Sequence, residues 1–317
     1  MAPGTRRDLA FAAIGLLLLL CVPLIGSKSL DDFVIYVIAY GLLAMSLNLL
    51  VGYTGLTSFG HAMFFGAGGA YPFGLMMQNL EIGIPAAFVL TILFAMTLAL
   101  VIGAICIRLT EIYFAFLTLA FQMLIYSIII SWVSFTGGDQ GLMGGIPKPP
   151  FLGIDLGKSG HLYAFCCALF VVCLLLMRVL VQSPFGYTLR LIRDNAHRAG
   201  FLGVDVFRVK LTCFVIAAAF GAVGGIVLTL FVSGAYPNFA YWTMSGEAIF
   251  MIMLGGMNVF LGPVVGAAIL HLLNDLVTHY TKHYGLFLGS LILLIVLGFR
   301  RGLLDFALEK LQPRGKR

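Results

Sequence analysis

Three ionisable side chains stand inside or beside long apolar runs and are the first candidates for chemistry: His61, Glu247 and Asp275. An ionisable group at membrane depth is costly to keep, so each calls for a functional reading beside a structural one. Glu247 lies near the start of a run, where a helix dipole alone stabilises a carboxylate. His61 opens another run, where capping or packing at a helix break competes with proton relay. Asp275 closes a third run, near His279 and Lys282, and reads as a residue of the outer interface. Catalytic spacings are missing: no histidine pair forms HExxH, and no serine sits in GxSxG. Gly153-Ile-Asp-Leu-Gly157-Lys158-Ser159 has three residues between its glycines where a phosphate loop needs four. Cys21, Cys106, Cys166, Cys167, Cys173 and Cys213 lie in or at the edge of apolar runs. Cys166 and Cys167 point to different sides of a helix, and Cys173 is two turns from Cys166, beyond disulfide reach. With no CxxC or Cys/His metal spacing, they read as small packing or lipid-facing residues.

The elements that carry these residues are apolar to a degree that water does not allow. Of 317 residues, 61% are hydrophobic and 10% charged, against about half and about a quarter in soluble domains. One soluble domain has too little interior to hide that surface. Lysine and arginine number 19 against 13 acidic residues, but no basic patch alternates with aromatics, so no nucleic-acid partner is expected. The charges cluster between apolar runs, as membrane orientation signals do. A run of about 20 apolar residues crosses the roughly 30 Å hydrocarbon layer. Such runs occur at 9–25, 33–51, 59–77, 86–107, 112–132, 162–181, 211–232, 245–261, 262–278 and 285–299. The first follows Arg6 and Arg7 like a signal peptide, but no small-x-small cleavage site follows Ile25, so it counts as a span. The expectation is an all-α polytopic integral membrane protein, one domain over 1–317, with about ten transmembrane helices.

Basic residues orient it. The stretch from Arg178 to Lys210 holds six cations against Asp194 and Asp205, and the tail after Phe299 is also basic. Both belong in the cytoplasm, as does the Arg6–Arg7 end. Ten crossings satisfy all three, and residues 133–161 then form an external loop. Two junctions break the pattern: Gly52–Gly60 (GYTGLTSFG) and Gly255–Pro263 (GGMNVFLGP). Broken helices at membrane depth pack on protein or line a watery path. Close packing on small residues, as in Gly66-Ala-Gly-Gly-Ala70, explains them equally well. A re-entrant hairpin or two full crossings over 245–278 would give the same charge parity.

Between the sixth and seventh runs, Ser183-Pro184 starts a short amphipathic helix with proline at its first position. Leu189, Ile192, Ala196 and Ala199 recur at helical spacing, and Gly200 or Gly203 can end it. The mixed Arg, Asp and Asn face suits a protein groove better than anionic lipid.

This segment, SPFGYTLRLIRDNAHRAGFLGV, resembles the cytoplasmic coupling segment of the permease subunits of branched-chain amino acid ABC importers, the M-type in particular. NLLVGYTGLTSFGHAMFFGAGGAY from Asn48, GGDQGLMGGI from Gly137 and SGEAIFMIMLGGMNVFLGPVVGAAIL from Ser245 resemble further segments of that family, in the family's order. Two positions depart from it. Ala196 stands where the family usually has an acidic residue, and Phe299-Arg300-Arg301-Gly302-Leu303 replaces a Phe-Pro-Arg-Gly-Leu pattern.

The resemblance implies a transport subunit and not an enzyme. It implies a heterodimer with a second permease in a bacterial inner membrane, both termini cytoplasmic. Two cytoplasmic ATP-binding subunits would use the ATP, and a periplasmic binding protein would deliver substrate; this chain would bind no cofactor or metal. Arg190, Arg193, Asp194, Asn195, Arg198 and Gly203 become the candidates for ATPase coupling within 183–210. Asn48, Ser58, Gly60, His61, Glu247, Gly255 and Gly256 become the candidates for the translocation path. Leucine, isoleucine and valine are the expected substrates, with urea, amides or aromatic acids as the alternatives within the same importer type. An ion-coupled secondary transporter with broken helices is the rival from another class.

Overall fold

A computed structural model describes residues 27–79, 82–109, 111–142, 145–148, 155–280, 286 and 289–290. The run at 9–25, most of the run at 285–299, both basic termini, Cys21, Gly153 and Lys282 lie outside the described residues. The described chain is helical apart from turns and one isolated bridge, Leu142 with Ala235. Five of its helices are long and apolar enough to cross a membrane.

Helix α1 spans Lys28–Thr54 and ends where Gly55 turns left-handed at φ 76° and donates its amide to the Leu50 carbonyl. Its 27 residues reach about 40 Å. After an irregular stretch, α2 (Ala62–Phe65), a π-helical turn (Gly66–Ala70) and α3 (Tyr71–Asn79) run on without a gap. The π turn falls on GAGGA, the stretch with the least side-chain bulk. A Cβ on Gly66 would collide with the Ala240 backbone, and one on Gly69 with the Ala222 carbonyl. The small residues therefore serve close backbone packing.

Helices α4 (Ile84–Cys106), α5 (Glu111–Ser131) and the single turn α6 (Val133–Thr136) follow. Next, Gly137, Gly138 and Gly141 adopt φ of 77°, 58° and 71°, a region closed to most side chains. That turn lets the Leu142 amide reach the Ala235 carbonyl at 2.8 Å. Helix α7 (Ser159–Gln182) leads into α8 (Pro184–Asp194) and α9 (Ala196–Phe201), then α10 (Val206–Val232). A buried 3-10 turn, Pro237–Ala240, precedes α11 (Trp242–Gly255), which folds back as a tight hairpin on α12 (Gly262–Tyr280).

Helices α1 and α10 pack on each other at the centre and are buried on most sides. Gly225 of α10 sits so close that a Cβ would strike the Phe65 carbonyl. Helices α4, α5 and α7 instead keep side chains such as Leu93, Val101, Phe116, Leu124, Leu176 and Val179 exposed. Lipid is the solvent such surfaces require. In the α11–α12 hairpin, Cβ atoms on Gly255 and Gly266 would collide with the Gly262 and Met251 carbonyls. The 14 residues of α11 rise about 21 Å, short of a full crossing alone. The hairpin thus has one short arm and one longer arm. The five described cysteines are reduced and buried, as packing residues.

Candidate coupling and translocation site

The amphipathic segment folds as two helices where its sequence reads as one. Ser183 caps α8, its Oγ accepting the Gly186 amide at 3.4 Å, and Pro184 takes the first turn. At Asn195 the backbone turns extended, with φ −163° and ψ 100°, and the helix stops. The Asn195 Oδ1 then accepts the Arg198 amide at 2.8 Å and starts α9. Asparagine competes for backbone hydrogen bonds, which disfavours it inside helices and favours it at caps. The side chain is thus committed to the fold of the segment itself.

Leu189, Ile192 and Ala199 are buried against this same chain, so their apolar face fixes the segment to the bundle. Arg190 is also engaged within the chain. Its Nη2 donates to the Val181 carbonyl at 2.8 Å, and its guanidinium stacks over the Tyr187 ring at 4.7 Å. Arg193 Nη1 donates to the Gly52 carbonyl at the end of α1. Asp194 and Arg198 project outward, and Gly203, at φ 85°, closes the segment in open space. Beyond it Asp205 caps α10 through the Arg208 amide at 3.0 Å and pairs with the Arg208 side chain. The open side of the segment is Phe201, 88% exposed, and Leu202, 69% exposed. Sequence reasoning missed this pair, although two apolar residues between Gly200 and Gly203 are a legible signal.

The translocation candidates divide by burial. Asn48, Ser58, His61, Gly60, Gly255 and Gly256 are enclosed within the chain. Gly60 permits close approach to α5, because a Cβ there would collide with the Thr118 carbonyl. Ser46 Oγ is hydrogen-bonded to the Leu43 carbonyl at 2.8 Å, and His61 Nε2 lies 2.8 Å from the same Oγ. The ring's Nδ1 is buried with no hydrogen-bond partner among the described residues. Asn48 Nδ2 donates to the Met257 carbonyl at 3.4 Å, tying the last turns of α1 to the Gly255–Pro263 junction. Gln122 was not singled out from sequence. Its Nε2 donates to the Ala240 carbonyl at 3.0 Å, and its Oε1 accepts from Ser245 Oγ at 3.0 Å. Ser245 Oγ in turn accepts the first amide of α2, from Ala62, at 2.9 Å. Glu247 alone among the candidates lies exposed, beside Phe250, on an open face of α11. It is the sixth residue of that helix, beyond the first turn where the dipole acts. Asp275 is exposed on α12.

Apolar helices packed around a continuous central pair, with an amphipathic helix pair slung between two spans, define a polytopic membrane protein. Residues 29–297 match the family described as branched-chain amino acid transport system / permease component, and the chain belongs to it. The high-affinity branched-chain amino acid transport system permease protein LivM of Escherichia coli is 25% identical, covering 98% of this chain and 78% of that protein. The probable LivM of Methanocaldococcus jannaschii is 27% identical over 77% of this chain and 81% of its own length. The permease LivH of Escherichia coli is 25% identical over 84% of this chain and 91% of its own length.

Proposed function

We propose that this chain is one of two permease subunits of an ATP-binding cassette importer that carries leucine, isoleucine and valine into the cytoplasm. Membership of the permease family is the observation that carries the reading, and the names of the LivM and LivH relatives support the substrate. Similarity to both types supports a heterodimer of this chain with a related permease. Hydrolysis belongs to two separate ATP-binding subunits seated under the α8–α9 segment, and the exposed Phe201–Leu202 pair supplies an apolar anchor for them. A periplasmic binding protein delivers the amino acid at the opposite face. The complex sits in a bacterial inner membrane with both termini of this chain in the cytoplasm.

Transport of such a substrate sets two requirements. Its aliphatic side chain tolerates an apolar route, while its charged ammonium and carboxylate need polar groups on the way. The open face of α11 offers both, in Phe250 and Glu247. Mild detergent extraction followed by mass spectrometry tests the reading, with a second permease and two ATP-binding subunits expected in the purified complex. Leucine uptake by sealed vesicles should require ATP and survive an ionophore. An active homomer driven by an ion gradient would overturn the proposal.

A further inference from the structure

Three separate parts of the chain meet beside Gly52. The first is α8, whose Arg193 donates to the Gly52 carbonyl. That carbonyl belongs to the last turn of α1, where no helical amide remains to satisfy it. The Arg193 stem also rests on Gly55, its Cγ 3.4 Å from where a Cβ would stand. The second part is the end of α1 itself, where Asn48 lies one turn before Gly52. The third is the break between α11 and α12, whose Met257 carbonyl accepts from Asn48. Gly52 has no side chain between them: a Cβ there would press on Asn48 and lie 3.0 Å from the Met257 carbonyl.

We infer that Arg193 is a positioning residue, a strut that carries motion of the α8–α9 segment through the end of α1 to the α11–α12 break. The inference rests on the proposed docking of ATP-binding subunits on that segment. Such transmission needs stiff contacts. The Arg193 stem is held against Gly55 and its head on the Gly52 carbonyl, and the remaining links are backbone and the short Asn48 side chain. Leu189 and Ile192 seat α8 on the bundle, and Arg190 ties it to the end of α7. A load on the Phe201–Leu202 end of α9 passes the Asn195 cap and enters α8 at its last turn, where Arg193 stands. Arginine suits the task, because its rigid fork serves one carbonyl while other N–H groups stay free. The strut also joins residues that the sequence reading had assigned to different jobs, Arg193 to ATPase coupling and Asn48 to the path.

The test uses the whole complex in vesicles, with Arg193→Gln, Asn48→Ala, their double variant and Arg193→Lys. The readouts are ATP-binding subunits retained per permease and leucine moved per ATP hydrolysed. Arg193→Gln and Asn48→Ala should each keep the subunits bound and lower leucine per ATP roughly tenfold, within the range for coupling mutations. The double variant should fall no further, since both interrupt one path. Arg193→Lys, which still donates to a carbonyl, should recover part of the loss. Loss of the ATP-binding subunits in Arg193→Gln would make it a docking residue and overturn the strut. Unchanged leucine per ATP in both single variants, or additive losses in the double, would also overturn it. A wild-type complex without ATP-binding subunits would instead sink the importer reading itself.

Discussion

His61 and Glu247 are both ionisable residues of apolar runs, yet their surroundings differ in kind. The His61 ring is closed in, hydrogen-bonded to Ser46 and standing edge-on to Phe64 at 5.6 Å. Those contacts use it as a packing and hydrogen-bonding group at the start of α2. Glu247 lies open on α11, past the reach of the helix dipole. A carboxylate facing lipid would be costly, so a partner, a substrate or water must meet it in the assembled protein. Glu247→Gln keeps the shape and removes the charge. We expect leucine uptake by vesicles to fall roughly tenfold, or about 1.4 kcal/mol of barrier, with subunit assembly and basal ATP hydrolysis unchanged. Normal uptake in the variant would return Glu247 to a structural role.

Among the elements, α8 and α9 divide the work of the segment between them. Helix α8 turns Leu189, Ile192, Arg190 and Arg193 toward the bundle. Helix α9, reset in direction by the Asn195 cap, presents Phe201 and Leu202 outward. An apolar anchor at the centre of an interface carries more affinity than charges at its rim. Changing Phe201 and Leu202 together to Ser removes that anchor without touching the chain's own packing. The ATP-binding subunits should then dissociate at least roughly tenfold more readily, read by pull-down at graded concentrations. Thermal stability of the permease should stay at the wild-type value. Full retention of the subunits would place the docking contact elsewhere on the segment.

For the whole molecule, two long-range contacts tie distant segments to the ends of the bundle. Arg193 joins the α8–α9 segment to the end of α1, and Leu142 joins residues 137–142 to the end of α10. Since α10 spans 206–232 between them, the two segments stand at opposite ends. That placement allows a direct topology test. Lys158 and His197 are exposed, and the five described native cysteines are buried. In a background with Cys21→Ser, a membrane-impermeant maleimide should label Lys158→Cys in cells whose outer membrane alone is opened. It should reach His197→Cys only after the inner membrane is opened too. The reverse pattern would invert the orientation drawn from the arginines.

Five of the spans, the broken junctions, the start of the amphipathic 183–210 segment and the family were legible in the sequence, because each rests on neighbouring residues. Twenty apolar residues in a row, Gly-Gly-x-x-Gly-Leu, or Ser-Pro before an amphipathic pattern act locally. Helical spacing also put Leu189, Ile192 and Ala199 on one face. The sequence reading gave that face to the groove of a partner protein, and the chain's own bundle covers it instead. Helical spacing could not tell that Asn195 would end one helix and begin another, since its cap competes with an equally local helical pattern. The contact of Asn48 with Met257 spans 209 positions, and that of Arg193 with Gly52 spans 141. Only packing decides such pairs: glycines let α1, α10 and the hairpin approach closely, and the backbone carbonyls they bring near then select which side chains can reach them.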